Sequence, residues 1–348
     1  MTGRIETLLG IDHPILLGPF GGLSSVDLTA AVSNLGGLGQ FGLYGYTPDR
    51  IRDTVTVIRA ATDRPFGLNL WVPTGDEVTP ADIDTAQVTA ALAPLYERAG
   101  IEQPAPPAQF LPPFADQFEA VLDARPAVVS FVFGLPPADA IDAAHERGIR
   151  VIGTATTVAE GRALAAGGAD AVVASGAEAG GHRVSYLKPA EQSLVGTFAL
   201  VPQLVDALDV PVVAAGGIAD RRGVAAARAL GAEGVLVGTA FLATPQSAAT
   251  DAHRRAIASA SASADATVLT RAMSGRLARG LPNHAIRTIE ADARIAPFPA
   301  QNWATGVFRA AAAGNDDGEL LSLWMGQSAA LARHTDASEV FAELLRGL

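Results

Sequence analysis

The chain has 348 residues, 49% of them apolar and 18% charged, with 36 glycines, a formal net charge of -11 and no cysteine. That length and apolar content suffice for one large α/β domain or two smaller ones, while the acidic balance and the lack of any basic run exclude a phosphate-backbone binder. The absence of cysteine removes disulfides, thiolate metal sites and Cys-nucleophile chemistry. No apolar run of membrane-spanning length is present, and MTGRIETLLGIDHP is too polar for a signal peptide, so the expectation is a soluble cytoplasmic protein that binds neither nucleic acid nor membrane.

In chain order, eight short apolar runs bounded by Gly or Pro are predicted strands. They are PILLGPF from Pro14, GGLGQFG from Gly36, PFGLNLW from Pro65, AVVSFVFG from Ala127, RVIGTAT from Arg150, AVVASGA from Ala171, PVVAAGG from Pro211 and GVLVGTAF from Gly234. Helix-compatible segments such as SVDLTAAVSNLG, PADAIDAAHERG, VAEGRALAAGG and DRRGVAAARALG lie between them, with apolar residues at three- and four-residue intervals and a terminal Gly. Eight β/α units predict an α/β fold of the (β/α)8 TIM-barrel type; a doubly wound open sheet is the runner-up. Functional residues are then expected where strands end and loops begin.

The third connection is long and holds PAPPAQFLPPF, which cannot be helical, so an insertion at about 72–112 is expected over or beside the barrel mouth. Helical patterns near 248–259, 301–313, 318–332 and 337–347 are too many for one last barrel helix. The expected organisation is a barrel over 1–245, followed by a final barrel helix and a C-terminal helical cap over 246–348.

Two strand ends have the form of an anion site. AAGGIADRRG puts Gly216 and Gly217 at the end of the seventh strand with Asp220 near a helix start, and GVLVGTAF puts Gly238 and Thr239 at the end of the eighth. Glycine lets backbone N–H groups approach a phosphate, and in barrels these two loops are the usual phosphate grip. A phosphate on a larger, flat body fits flavin mononucleotide (FMN). Asn69, at the end of the third strand, offers an amide to such a ring. Ser24 and Ser25 read as N-caps. GAEAGGHR follows the sixth strand and brings His182 to the mouth behind a Gly-Gly pair, where an imidazole can exchange a proton or stabilise negative charge. Glu178 reads as a structural acceptor that shapes this loop, and Lys188, the only lysine, carries no catalytic weight.

PILLGPFGGLSS, PFGLNLW, GAEAGGHR, SLVGTFALVPQLVDAL, PVVAAGGIADRRGVAAARALGAEGVLVGTAFLAT, LTRAMSGRLARG and LSLWMGQ together resemble the class I nitronate monooxygenases, once called 2-nitropropane dioxygenases. The resemblance implies an FMN-dependent barrel enzyme that oxidises alkyl nitronates with O2, propionate 3-nitronate being typical. It implies His182 as catalytic base or electrostatic partner of the substrate; an anionic nitronate is expected to be attracted to a protonated His182 and to the neighbouring Arg183. FMN contacts are implied at Asn69, Ser175, Gly180, Gly217, Leu236, Val237, Gly238 and Thr239, and no metal. Ser175 and Leu236 stand where the family usually has Gln, and Phe20 where Met is common; each lost amide contact to FMN is worth roughly 1 kcal/mol. The rival readings are a flavin-dependent enoyl-acyl-carrier-protein reductase and a non-catalytic flavin carrier.

Overall fold

A computed structural model describes residues 3–259, 265–292 and 294–348. The eight predicted strands form, at Ile15–Leu17, Gly39–Gly42, Phe66–Trp71, Val128–Val132, Arg150–Ala155, Ala171–Ser175, Val212–Ala215 and Gly234–Val237. All pair in parallel and in chain order, and the first also pairs with the eighth through Leu16↔Leu236. A bridge between Leu16 and Leu38 joins first to second, which closes the barrel. The open-sheet alternative is thereby excluded.

Strands buried on both faces read as continuous apolar runs. Leu17, Val172, Ala174 and Val237 pack outward against helices, while Leu16, Val128, Ile152, Ala171 and Val213 fill the interior together with Ile5 and Leu9 of the helix Arg4–Leu9. That helix packs into the end where strands begin, and the cavity lies at the end where they finish. Barrel helices start on Ser25, Thr47, Thr157 and Asp220, whose side chains accept N–H groups of the first turn. Gly168 and Gly231, at φ +95° and +93°, make the left-handed exits that the terminal glycines of two predicted helices imply.

The region after the eighth strand departs from the expected order. The C-terminal helix Ala337–Leu345 fills the eighth helical position, with Val340, Phe341 and Leu344 packed among Leu28, Val32, Val224 and Ala227. Arg221 pairs with its Glu343 at 2.7 Å. The cap is therefore an excursion between the eighth strand and its own helix. It contains helices Asp251–Ala258, His284–Asp292 and Ala300–Gly314 and strands Val268–Thr270 and Ala278–Gly280. The helix expected near 318–332 does not form. Leu320, Leu321, Leu323 and Met325 are all buried, which a one-faced surface helix cannot achieve; two 3-10 turns and a bridge from Trp324 to Gly280 replace it.

The insertion after the third strand joins this excursion. Its helices Thr85–Ala91 and Ala93–Ala99 pack on Ala300–Gly314, where the Tyr96 hydroxyl donates to the Ala304 carbonyl at 2.9 Å. Its Pro-rich part is irregular and sets Phe110 against Trp303, ring centroids 5.4 Å apart. Insertion and excursion together build a lid.

Candidate active site

A cavity of about 350 Å³ lies under the lid at the strand ends. The alternation of side chains along each strand decides what lines it. Gln40, Asn69 with Trp71, Ser130 with Val132, Ile152 with Thr154, Val173 with Ser175, Ala215 and Leu236 all point inward. Gly180, His182, Gly217, Gly238 and Thr239 complete the wall from the loops. Asn69, Ser175, Gly180, His182, Gly217, Leu236, Gly238 and Thr239 thus reach the cavity as expected from sequence, whereas Val237 and Arg183 do not. The Val237 side chain, one position after Leu236, faces the helical layer and is fully buried there.

His182 is held from three sides. With Gly181 it pairs antiparallel to Ala278–Gly280, so the loop after the sixth strand is stitched to the lid. Its ring meets Trp71 edge-on at 4.9 Å and Trp324 at 5.7 Å. Its Nε2 lies 2.8 Å from Ser274 Oγ. Ser274 donates to the Arg276 carbonyl at 3.1 Å, and with its one hydroxyl proton so placed it accepts from His182 Nε2–H. Nδ1 is then the nitrogen free to act as a base.

Burial, with the charges of Arg276 and Arg309, pushes the His182 pKa down to about 3. The imidazole is uncharged at neutral pH. Arg183, expected to attract an anion, turns away: it donates to the carbonyls of Ser175 at 2.6 Å, Ser193 at 3.0 Å and Thr156 at 3.3 Å. A protonated His182 helped by Arg183 is therefore not what this mouth presents. Glu178 does hold the loop, accepting from the Thr197 amide and hydroxyl, both at 2.9 Å. Ser25 is an N-cap, whereas Ser24 bonds the Phe20 and Gly42 amides, at 3.1 and 3.0 Å.

Several lining residues escaped the sequence reading. Gln40, Ser130 and Thr154 had a readable signal, a polar side chain at an inward position near the end of an apolar strand. Trp71 had one too, two residues after Asn69 on the same face. Tyr44 lies on the loop just after the second strand and could be read as a strand-end residue, whereas Asn302, Arg309 and Trp324 are brought here by the lid's folding. Asn302 donates to the Tyr44 hydroxyl at 2.9 Å and Arg309 donates to Asn302 Oδ1 at 2.8 Å. Tyr44 itself packs on Trp71 with ring centroids 4.5 Å apart.

A second histidine is buried in the lid. His253 Nε2–H donates to the Trp324 carbonyl at 2.9 Å, and burial lowers its pKa to about 4 although that bond favours the charged ring. For both rings the folded pKa lies below the ordinary 6.5. Between pH 6.5 and about 4, the unfolded chain binds protons that the folded chain refuses, so stability falls as pH falls, by ~1.4 kcal/mol per pH unit per ring. Urea unfolding at pH 7.5 and pH 5 is expected to lose less stability in His253→Gln than in the wild type. Equal losses would show that His253 takes up its proton while folded.

A parallel barrel whose mouth joins glycine-rich seventh and eighth strand ends to an imidazole and an aromatic wall defines a (β/α)8 protein with a lidded ligand site at its strand ends. The nitronate monooxygenase family model matches residues 3–347. A probable nitronate monooxygenase of Staphylococcus saprophyticus is 39% identical over 97% of this chain and 95% of its own length. Among solved structures, a nitroalkane oxidase from Streptomyces ansochromogenes is 35% identical with TM-score 0.88, covering 99% of this chain and 98% of that one. FabK from Thermotoga maritima is 31% identical with TM-score 0.76, covering 100% and 96%. The chain belongs to the nitronate monooxygenase family, and is thereby a flavin-dependent oxidoreductase. Among the described residues no helix is long and apolar enough to cross a membrane.

Proposed function

We propose that this protein holds FMN in the barrel mouth and oxidises alkyl nitronates, or nitroalkanes, with O2. The observation that carries this reading is His182, its Nε2 held by Ser274 Oγ and its Nδ1 free, on the wall of a lidded cavity that also contains the Arg309 guanidinium. Such a site receives an anion or makes one by proton abstraction.

The chain's own residues fit the cofactor. Gln40 Oε1 is buried without a hydrogen-bond partner, an acceptor suited to an N–H of a flavin's pyrimidine edge. Gly216 and Gly217 take φ +98° and +76°, turning the seventh strand's end without a Cβ, and a Cβ on Gly18 would stand 3.0 Å from Gly238 Cα. That close backbone packing supports reading Gly217, Gly238 and Thr239 as the phosphate grip, with Asn69, Ser175, Gly180 and Leu236 around the ring. Asn69 is oriented by its Nδ2 bonds to Ser130, both 3.1 Å. Leu236 offers only apolar contact at its place.

A bound flavin supplies the electron acceptor and the means of passing electrons to O2. His182 Nδ1 takes the α-proton of a neutral nitroalkane, whereas a nitronate arrives already ionised and needs only to be held. Trp71, Trp324 and Tyr44 exclude water and confine the small substrate. Purified holoenzyme is expected to be yellow and to consume O2 with propionate 3-nitronate faster than with simple nitroalkanes or enoyl thioesters. Anaerobic mixing with NADH is expected to leave the flavin oxidised. Rapid bleaching by NADH together with turnover of an enoyl thioester would replace this reading by the enoyl reductase one. A protein that cannot be loaded with FMN contradicts both.

A further inference from the structure

We propose that Arg309, held by Asn302 on the lid helix Ala300–Gly314, and not His182, is the cation that takes up the negative charge of the bound substrate anion. The inference rests on the cavity being the nitronate site, and it reassigns the electrostatic role within it.

Arg309 is the only Lys or Arg among the described residues lining the cavity. Asn302 and Arg309 lie seven residues apart, two helical turns, and so share the face turned to the mouth. Guanidinium Nη2 donates to the Asn302 carbonyl at 2.9 Å and to its amide oxygen at 2.8 Å, while the buried Nε has no partner. No carboxylate lies within 4.0 Å of Arg309 among the described residues; the one acid on the wall, Glu178, is bound to Thr197. Tyr44 does not supply the missing charge, because burial raises its pKa and keeps its hydroxyl protonated. A charge held away from water without a counter-ion is costly, and a bound anion relieves that cost.

The other nearby cations are already answered. Arg276 lies 2.8 Å from Asp76 and 2.6 Å from Glu77, sandwiched over the rings of Phe133 and Phe298 at 4.4 and 4.0 Å. Arg183 serves backbone carbonyls. An imidazole whose pKa lies near 3 contributes no positive charge at neutral pH. The division of labour is therefore a neutral base on the barrel loop and a permanent cation on the lid. Asn302 positions the cation from one side and ties it through the Tyr44 hydroxyl to the second strand's loop.

The test uses FMN-loaded enzyme and nitrate, an unreactive planar oxyanion with the same O–N–O head, as the probe. Nitrate affinity is read from the flavin absorbance change and from competition against a nitronate. Arg309→Gln is expected to weaken nitrate and raise KM for the nitronate by ~30-fold or more, as expected for removing one partner of a buried charge pair. KM for a neutral nitroalkane is expected to rise less than about threefold, since no charge is lost in that encounter. Arg309→Lys should recover part of the loss. If Arg309→Gln does not fold, Asn302→Asp tests the same point by placing a carboxylate beside an intact guanidinium, with the same expected loss of nitrate binding. Unchanged nitrate affinity in these variants overturns the proposal, as does loss of flavin in place of anion affinity, or an equal loss for the neutral substrate. Nitrate binding through Arg309 without O2 uptake on any nitronate would instead reject the functional reading and leave the anion site standing.

Discussion

His182→Ala is expected to lower kcat/KM for a neutral nitroalkane by ~10²–10⁴-fold, the usual contribution of a positioned general base. The loss on a preformed nitronate is expected to be smaller, because that substrate needs no proton removed. The reason is the position of Nδ1: Ser274 holds Nε2, Trp71 and Trp324 brace the ring, and His182 is the only histidine among the described residues lining the cavity. Glu178, the only carboxylate among the described residues of the wall, is engaged by Thr197. The pH profile carries a second signature. Because the His182 pKa is lowered to about 3, the free enzyme already has the base form throughout the neutral range, and kcat/KM should show no inflection near 6.5 from this ring. An inflection at 6.5 that vanishes in His182→Ala, or a variant as fast as wild type on nitroalkanes, would remove His182 from this role.

Gly180→Ala is expected to open the mouth. A Cβ there would stand 2.5 Å from the Met325 carbonyl carbon and the Gly326 nitrogen, backbone atoms that cannot rotate aside. Moving them breaks the bond from the Gly326 amide to Thr239 Oγ1 at 3.0 Å and that from the Gln327 amide to the Glu178 carbonyl at 2.9 Å. Those two bonds tie the lid to the sixth and eighth strand ends. Overpacking of this kind costs ~1–3 kcal/mol, and here the cost falls on closure of the cavity, so flavin retention and turnover should drop together with Tm. Gly181→Ala is the matched control. Gly181 has open space where the Cβ would go but a φ of +73°, so its penalty is backbone strain of ~1–2 kcal/mol without a clash, and the lid contacts survive. Equal flavin loss in both variants would show that strain in the loop, rather than contact with Met325 and Gly326, governs closure.

The strand-end residues were legible because barrel geometry turns a sequence position into a spatial one. Asn69, Ser175 and Leu236 occupy inward positions at the ends of apolar strands, and Gly217, Gly238 and Thr239 follow such ends directly. The same alternation rule excludes the Val237 side chain, since a neighbour of an inward residue points outward. His182 was legible from its loop. Its charge was not, because burial and the fields of Arg276 and Arg309 depend on packing.

Local sequence determined the eight strands, most barrel helices, their caps and the glycine-rich turns, since those follow from side-chain period and backbone preference over a few residues. It also put His182 and most of the strand-end residues at one mouth. Tertiary structure alone decided what closes that mouth. The chain leaves the barrel after its eighth strand, builds a lid, and returns so that Ala337–Leu345 completes the helical ring. Arg309, Asn302 and Trp324 join His182 at the mouth only through that excursion. Contacts between segments more than a hundred residues apart have no periodicity to announce them, and the charge that matters in the cavity is one of these.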